Sequence, residues 1–72
     1  MTQKERILWH LQNVGRISCR EAAFDYGIMA LHSRIADLRR DGYKIESEYK
    51  SGHNRFGDRC GWYEYWLKGL EQ

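Results

Sequence analysis

The apolar residues of this 72-residue chain change their spacing once, at Gly42. Before Gly42 they recur every three or four residues, which is typical of helices packed on one side. After it, Tyr43, Ile45, Ser47 and Tyr49 alternate with charged residues, which is typical of a strand buried on one face. The chain is therefore expected to form helices first and a small sheet afterwards.

Two capping boxes mark where the first two helices begin. In each box a hydroxyl can accept a hydrogen bond from the amide of a Glu three residues later, and that Glu can accept from the hydroxyl residue's own amide. The boxes run from Thr2 to Glu5 and from Ser18 to Glu21. The first helix is predicted over about residues 3 to 14, and the second ends near Tyr26, before Gly27. The apolar face of the first helix consists of Ile7, Leu8, Leu11 and Val14.

A third helix is predicted before Gly42. Leu31, Ile35 and Leu38 have the spacing i, i+4, i+7, which places them in one core stripe. Between the first two helices, the stretch Arg16–Ile17 is too short for more than an edge bridge of the sheet.

The second half of the chain is predicted to be a hairpin. Residues 51–61 contain three glycines and no apolar period, and they are interpreted as a flexible loop between antiparallel strands. Residues 62–68 are the return strand, with Tyr63, Tyr65 and Leu67 facing the helices and Trp62 and Trp66 on the outer face. The predicted class is α+β, with three helices packed on a small antiparallel hairpin in a single domain over residues 1–72.

Several functional classes lack support in the sequence. The longest apolar run, Ile28 to Leu31, is far too short to cross a bilayer, and the N-terminus has no signal-peptide core, so a cytoplasmic protein is expected. Cys19 and Cys60 are expected to be free thiols. The His and Cys residues are scattered singly, so neither a metal nor another cofactor is predicted. No phosphate loop or nucleophile–base pair indicates an enzyme or a small-molecule substrate.

Positive charge is concentrated in the third helix and in the hairpin loop. The formal net charge of +2 is small, with 12 basic against 10 acidic side chains. Residues 28–44 carry Arg34, Arg39, Arg40 and Lys44 against Asp37 and Asp41. Residues 50–59 carry Lys50, Arg55 and Arg59 against Asp58. These segments form either one surface for an anionic partner or two unrelated solvated patches.

Nearly the whole chain carries a pattern made of Arg6–Leu8 with Leu11, Gly15–Ser18, Glu21–Ala23, Tyr26–Ile28, Ser33–Arg39, Gly42–Ile45 and Tyr65–Leu67. This pattern resembles the winged helix-turn-helix superfamily, and within it the short winged-helix proteins frequent in bacteriophage and prophage genomes. The resemblance implies a transcription regulator that binds double-stranded DNA. Its third helix would lie in the major groove, and its hairpin, the wing, would contact the backbone or the minor groove.

The resemblance implies a set of DNA contacts from the third helix. Ala30, Ser33 and Ala36 are small enough to let the helix approach the groove. His32 and Arg40 would reach guanine acceptors, and Arg34 and Arg39 would contact phosphates. Asp37 opposes this arrangement unless it pairs with a base amino group or with Arg34 at i−3.

Further contacts are predicted outside the third helix. Lys50, His53, Arg55 and Arg59 would place positive charge from the wing on the DNA. Ser18 and Arg20 would offer amides and charge to a phosphate at the start of the second helix. Phe56 either packs back on the sheet or wedges against a partner.

A protein-binding module is the alternative hypothesis, for instance a phage factor that inhibits a host protein. The near-balance of charge favours it, and Trp62 and Trp66 offer a self-association surface. DNA binding predicts that the basic side chains of the third helix and the wing merge into one surface. Protein binding predicts that they diverge, or that an aromatic patch dominates the exposed surface.

Overall fold

Three helices precede a long hairpin in the computed structural model, which describes residues 1–69. The elements are α1 Gln3–Asn13, β1 Ile17–Ser18, α2 Cys19–Tyr26, α3 Leu31–Arg40, β2 Ile45–His53 and β3 Arg59–Leu67. This order confirms the predicted α+β class. The end of the predicted domain, at residue 72, lies outside the described residues. None of the helices in residues 1–69 has the length and apolar character needed to cross a membrane.

Both predicted capping boxes are present. The Thr2 hydroxyl accepts from the Glu5 amide at 3.1 Å, and the Glu5 carboxylate accepts from the Thr2 amide at 2.8 Å. Ser18 and Glu21 exchange the same two hydrogen bonds at 3.3 and 3.2 Å. Gly27 then ends α2 in the left-handed region, at φ 68°, which a glycine adopts without strain.

The sheet has three strands, because β1 forms a short edge strand. The strand order is β1-β3-β2 and all pairing is antiparallel, with Ile17 of β1 opposite Tyr65 of β3. The sequence predicted a two-stranded hairpin with an edge bridge at residues 16–17. The observed pairing lies one residue later and supplies a third strand to the sheet.

The core lies between the helices and the near end of the hairpin. Its fully buried side chains are Ile7, Leu11, Ile17, Ile28, Leu31, Ile35 and Leu38. The predicted stripe of α3 is therefore confirmed. Val14 was predicted on the buried face of α1 but is exposed, at the C-cap position where the helix ends.

His10 takes the buried place on α1 that the sequence did not predict. Its side chain is almost completely enclosed, at 2% relative exposure. The ring nitrogens lie 2.8 Å from the Tyr26 hydroxyl and 2.8 Å from the Arg16 carbonyl oxygen. Because both nitrogens have partners, neither is left unsatisfied in the interior. The imidazole thus connects α1 to α2 and to Arg16, the residue that precedes β1.

The strands of the hairpin are longer than predicted, and its loop is only residues 54–58. Gly52 and Gly61 were assigned to a flexible loop, yet both lie within strands. The side chains of the opposite strand explain this result. The Trp62 ring lies 3.5 Å from the position of a Cβ at Gly52, and the Tyr49 ring lies so close over Gly61 that a Cβ there would collide with it. The rings supply the packing that the glycines lack.

The helices cover only the near end of the hairpin. Ile45, Tyr65 and Leu67 are buried, whereas Tyr63, which was predicted to face the helices in the same way, is 44% exposed. Tyr63 does point to the helix side, but it lies beyond the reach of the core. At the far end, the Asn54 carboxamide accepts from the amides of Phe56 and Asp58 at 2.9 and 3.0 Å and closes the loop.

Candidate nucleic-acid interface

The two faces of the hairpin differ in charge because side chains alternate along each strand. The buried residues Ile45, Tyr65 and Leu67 identify the face that points to the helices. Beyond the core, this inner face consists of Ser47, Tyr49, Ser51, His53, Arg59, Gly61 and Tyr63. It contains no carboxylate. The outer face holds the acidic residues of the two strands, Glu46, Glu48 and Glu64.

The outer face is occupied by a network of ion pairs. Arg16 contacts Glu48 at 2.8 Å and Glu64 at 3.3 Å, and its guanidinium lies 4.2 Å from the centre of the Trp66 ring. The hydrogen bond from Arg16 lowers the pKa of Glu48 below its ordinary value. Lys50, a predicted DNA contact, lies 3.8 Å from each of the same two carboxylates. Its charge is therefore compensated within the protein, on the face opposite Arg59.

Trp62 also belongs to this outer face. It covers Gly52, and its indole N–H donates to Glu64 at 3.4 Å. Trp66 lies beneath Arg16. The two rings predicted to form a self-association surface thus have partners within their own chain.

The exposed face of α3 combines small side chains with one compensated acid. Ser33 and Ala36 are exposed, as the sequence predicted. Asp37 lies 3.3 Å from Arg34, the expected i, i+3 pair, and 3.3 Å from Arg40 on the next turn. Two arginines therefore share one carboxylate, and the face keeps a net positive charge.

Arg39 has a structural role that the sequence did not indicate. Its Nε and Nη2 atoms donate to the Ile45 carbonyl oxygen at 3.1 and 2.8 Å. Two of its donors therefore hold the end of α3 against the start of β2. The predicted phosphate contact of Arg39 would have to use the three remaining N–H groups, two on Nη1 and one on Nη2.

His32 is likewise committed to contacts within the protein. Its Nδ1 is hydrogen-bonded to the Tyr65 hydroxyl, and its Nε2 lies 3.6 Å from the Cys19 sulfur. The ring also meets Tyr63 edge-on, with 6.4 Å between the ring centres. Because both ring nitrogens have partners, this geometry opposes the predicted contact of His32 with guanine. The residue instead anchors the first turn of α3 to β3.

Four predicted contact residues meet at a groove of about 710 Å³ between the start of α2 and the end of the hairpin. The groove is lined by Ser18, Arg20, His53, Asn54, Arg55, Cys60 and Trp62. The Ser18 hydroxyl and amide already serve the capping box, and the carboxylate of Glu21 occupies the helix start that was predicted to take a phosphate. Arg20 packs on Phe24, with 5.8 Å from guanidinium to ring centre.

Three arginines around this groove and the hairpin end stay uncompensated. In residues 1–69, Arg20, Arg55 and Arg59 have no carboxylate within ion-pair distance. The same residues contain no cluster of three side chains suited to a metal ion. These three unpaired arginines lie at the far end of the hairpin and beside the start of α2, whereas the other Lys and Arg side chains without an ion pair in residues 1–69 are Arg6, Arg39 and Lys44.

A family model described as a winged helix-turn-helix domain matches residues 2–65. The match includes all three helices, both strands β1 and β2, and most of β3. No curated protein and no solved structure matches the chain significantly. With the family model covering most of its length, the chain belongs to the winged helix-turn-helix domain family.

Proposed function

We propose that this protein binds double-stranded DNA, with α3 in the major groove and the inner face and loop of the hairpin along the backbone. The separation of charge on the hairpin is the observation that carries the proposal. Strand alternation puts Glu46, Glu48 and Glu64 on the outer face and leaves the inner face free of carboxylates. A polyanion can therefore approach the inner face without repulsion from its side chains.

The exposed face of α3 supports reading of base edges. Ser33 and Ala36 let the helix axis approach the floor of the groove. Arg40 is well exposed and can turn from Asp37 to the O6 and N7 acceptors of guanine. Arg34, paired with the same carboxylate, is the nearer candidate for a phosphate.

The uncompensated arginines support contacts to the backbone. Arg55 and Arg59 project from the end of the hairpin, and Arg20 lies across the groove from Arg55. Together with Arg34 they provide about four phosphate contacts, which corresponds to a salt slope, log K against log[salt], of roughly −4. Lys50 is left out of this set because of its ion pairs on the outer face.

A matched pair of variants tests the proposal. Arg59→Ala and Lys50→Ala each remove one positive charge from the same hairpin, on opposite faces. Arg59→Ala is expected to weaken binding to a duplex and to reduce the salt slope by about one unit, whereas Lys50→Ala leaves both unchanged. Equal effects of the two substitutions would show that duplex binding depends only on the net charge of the protein. An absence of duplex binding by the unaltered protein would refute the proposal.

The cellular role that we infer is transcription regulation of the phage or prophage type, in the cytoplasm. It rests on the family and on the resemblance of the chain to short winged-helix regulators of such genomes. Selection of bound fragments from a genomic library tests it directly. Enrichment of fragments that lie upstream of genes supports a regulator. Recovery of fragments from all parts of the genome without such enrichment indicates an architectural protein.

A further inference from the structure

The ring of Tyr49 forms a flat platform on the inner face of the hairpin. It lies across the backbone of β3 at Gly61, in the space that a Cβ would otherwise occupy. The Tyr63 ring packs against it in an edge-to-face arrangement, with 5.2 Å between ring centres and 67° between planes. The hydroxyl end of the Tyr49 ring is thus held against β3, while 60% of the residue remains exposed. The platform is held in place before any partner arrives.

The surroundings of this platform indicate the chemistry of its partner. On the same face, the cross-strand pair His53 and Arg59 lies two pairs farther toward the loop than Tyr49 and Tyr63. The face contains no carboxylate. A partner that suits both features has a flat apolar surface and a negative charge close by. A nucleotide has both, because its base stacks on aromatic rings and its phosphate attracts cations.

The bases of a continuous duplex cannot use such a platform. Their flat surfaces are covered by the neighbouring base pairs, and only their edges are exposed in the grooves. An unpaired base, in contrast, presents its flat surface freely. A duplex held by α3 brings a strand past the hairpin, since His32 in the first turn of α3 contacts Tyr63.

We propose that Tyr49 stacks on an unpaired base of a DNA strand that leaves the bound duplex, so that the protein prefers DNA with an open or forked end. This inference rests on the proposed binding of duplex DNA and adds a second element of recognition to it. Arg59, on the same face, attracts the backbone where the strand leaves the duplex, and Tyr63 packs against the platform.

Three DNA molecules test the proposal with the unaltered protein. They are a blunt duplex, the same duplex with a short single-stranded thymidine arm, and the same fork with an abasic arm. The abasic arm keeps the phosphates and removes the bases. We expect the thymidine fork to bind about fivefold to 100-fold more tightly than the abasic fork, because this is the gain in affinity that stacking of one base on one aromatic ring provides. Equal affinities for the two forks overturn the proposal and leave the platform to a protein partner.

Two substitutions assign the preference to the ring. Tyr49→Phe keeps an aromatic platform and is expected to keep the preference, whereas Tyr49→Leu is expected to bind the thymidine fork and the abasic fork with equal affinity. Retention of the preference in Tyr49→Leu contradicts the assignment. Failure of the protein to bind the blunt duplex refutes the proposed function, and free thymidine and abasic strands then test separately whether Tyr49 stacks on a base.

Discussion

The imidazole of His10 and the hydroxyl of Tyr26 are joined by a 2.8 Å hydrogen bond within the helical part of the protein. Burial raises the pKa of the Tyr26 hydroxyl, which therefore stays protonated and able to donate. The second ring nitrogen of His10 meets the Arg16 carbonyl oxygen. A single side chain thus satisfies two polar groups contributed by other parts of the chain.

Replacement of His10 by alanine is expected to lower the free energy of unfolding by about 2–4 kcal/mol. The change removes a buried ring and leaves the Tyr26 hydroxyl and the Arg16 carbonyl without their partner. Urea denaturation followed by circular dichroism measures the loss. His53→Ala is the control, because that histidine is exposed and should change stability by less than about 0.5 kcal/mol. Similar losses in both variants would contradict the assigned role.

The two strand glycines should respond in opposite ways to alanine. At Gly52 the new methyl group meets Trp62 at ordinary contact distance, so the lower entropy of the unfolded chain should stabilise the protein by about 0.5 kcal/mol. At Gly61 the methyl group must displace the Tyr49 ring, and a loss of about 1 kcal/mol is expected. Chemical denaturation gives the energies, and an NMR contact between the Tyr49 ring and residue 61 reports the displacement. Preservation of that contact in Gly61→Ala would show that the backbone, not the ring, had moved.

Arg40 and Arg55 should differ in what they contribute to DNA binding. Arg40→Ala is expected to cost about 1–3 kcal/mol on a cognate duplex and to relax the preference at one base pair, because Arg40 lies on the exposed face of α3. Arg55→Ala should weaken cognate and scrambled duplexes alike and reduce the salt slope by about one unit. Binding isotherms on both duplexes at two salt concentrations distinguish these effects. If Arg40→Ala weakens both duplexes equally, it does not read bases.

The Glu48–Arg16 pair should make a pH-dependent contribution to stability. The pKa of Glu48 is lowered in the folded protein, chiefly by the Arg16 hydrogen bond, relative to an ordinary value of 4.5. Its stabilising effect is therefore complete above pH 4.5 and is lost as the pH falls through the lower, folded pKa. The difference in unfolding free energy between the unaltered protein and Glu48→Gln should be present at neutral pH and vanish in acid. A difference that grows in acid would reverse the assigned sign.

Local patterns in the sequence predicted the helices well. The capping boxes at Thr2 and Ser18, and the stripe of Leu31, Ile35 and Leu38, depend on residues within one or two helical turns of each other. Gly27 similarly ends α2 through its own backbone freedom.

The errors arose where a distant residue decides the structure. Gly52 and Gly61 resemble loop residues until the rings of Trp62 and Tyr49 cover them from the opposite strand. The hydrogen bond between His32 and Tyr65, which is 33 positions later, likewise could not be predicted from local spacing, and the DNA contact of His32 stays a prediction. The ion pairing of Lys50 was partly predictable, because alternation along β2 puts Glu48 and Lys50 on the same face. The contact of Lys50 with Glu64 depends on the register between β2 and β3, which the sequence does not give.

The hydrogen bonds from Arg39 to the Ile45 carbonyl oxygen constrain how this protein can acquire new targets. They join the last turn of α3 to the first residue of β2. If α3 contacts bases and the hairpin contacts phosphates, as we propose, this connection limits any change in the spacing between the two sets of contacts along the DNA. Substitutions on the exposed face of α3 would then change the bases that are recognised without changing the length of the binding site.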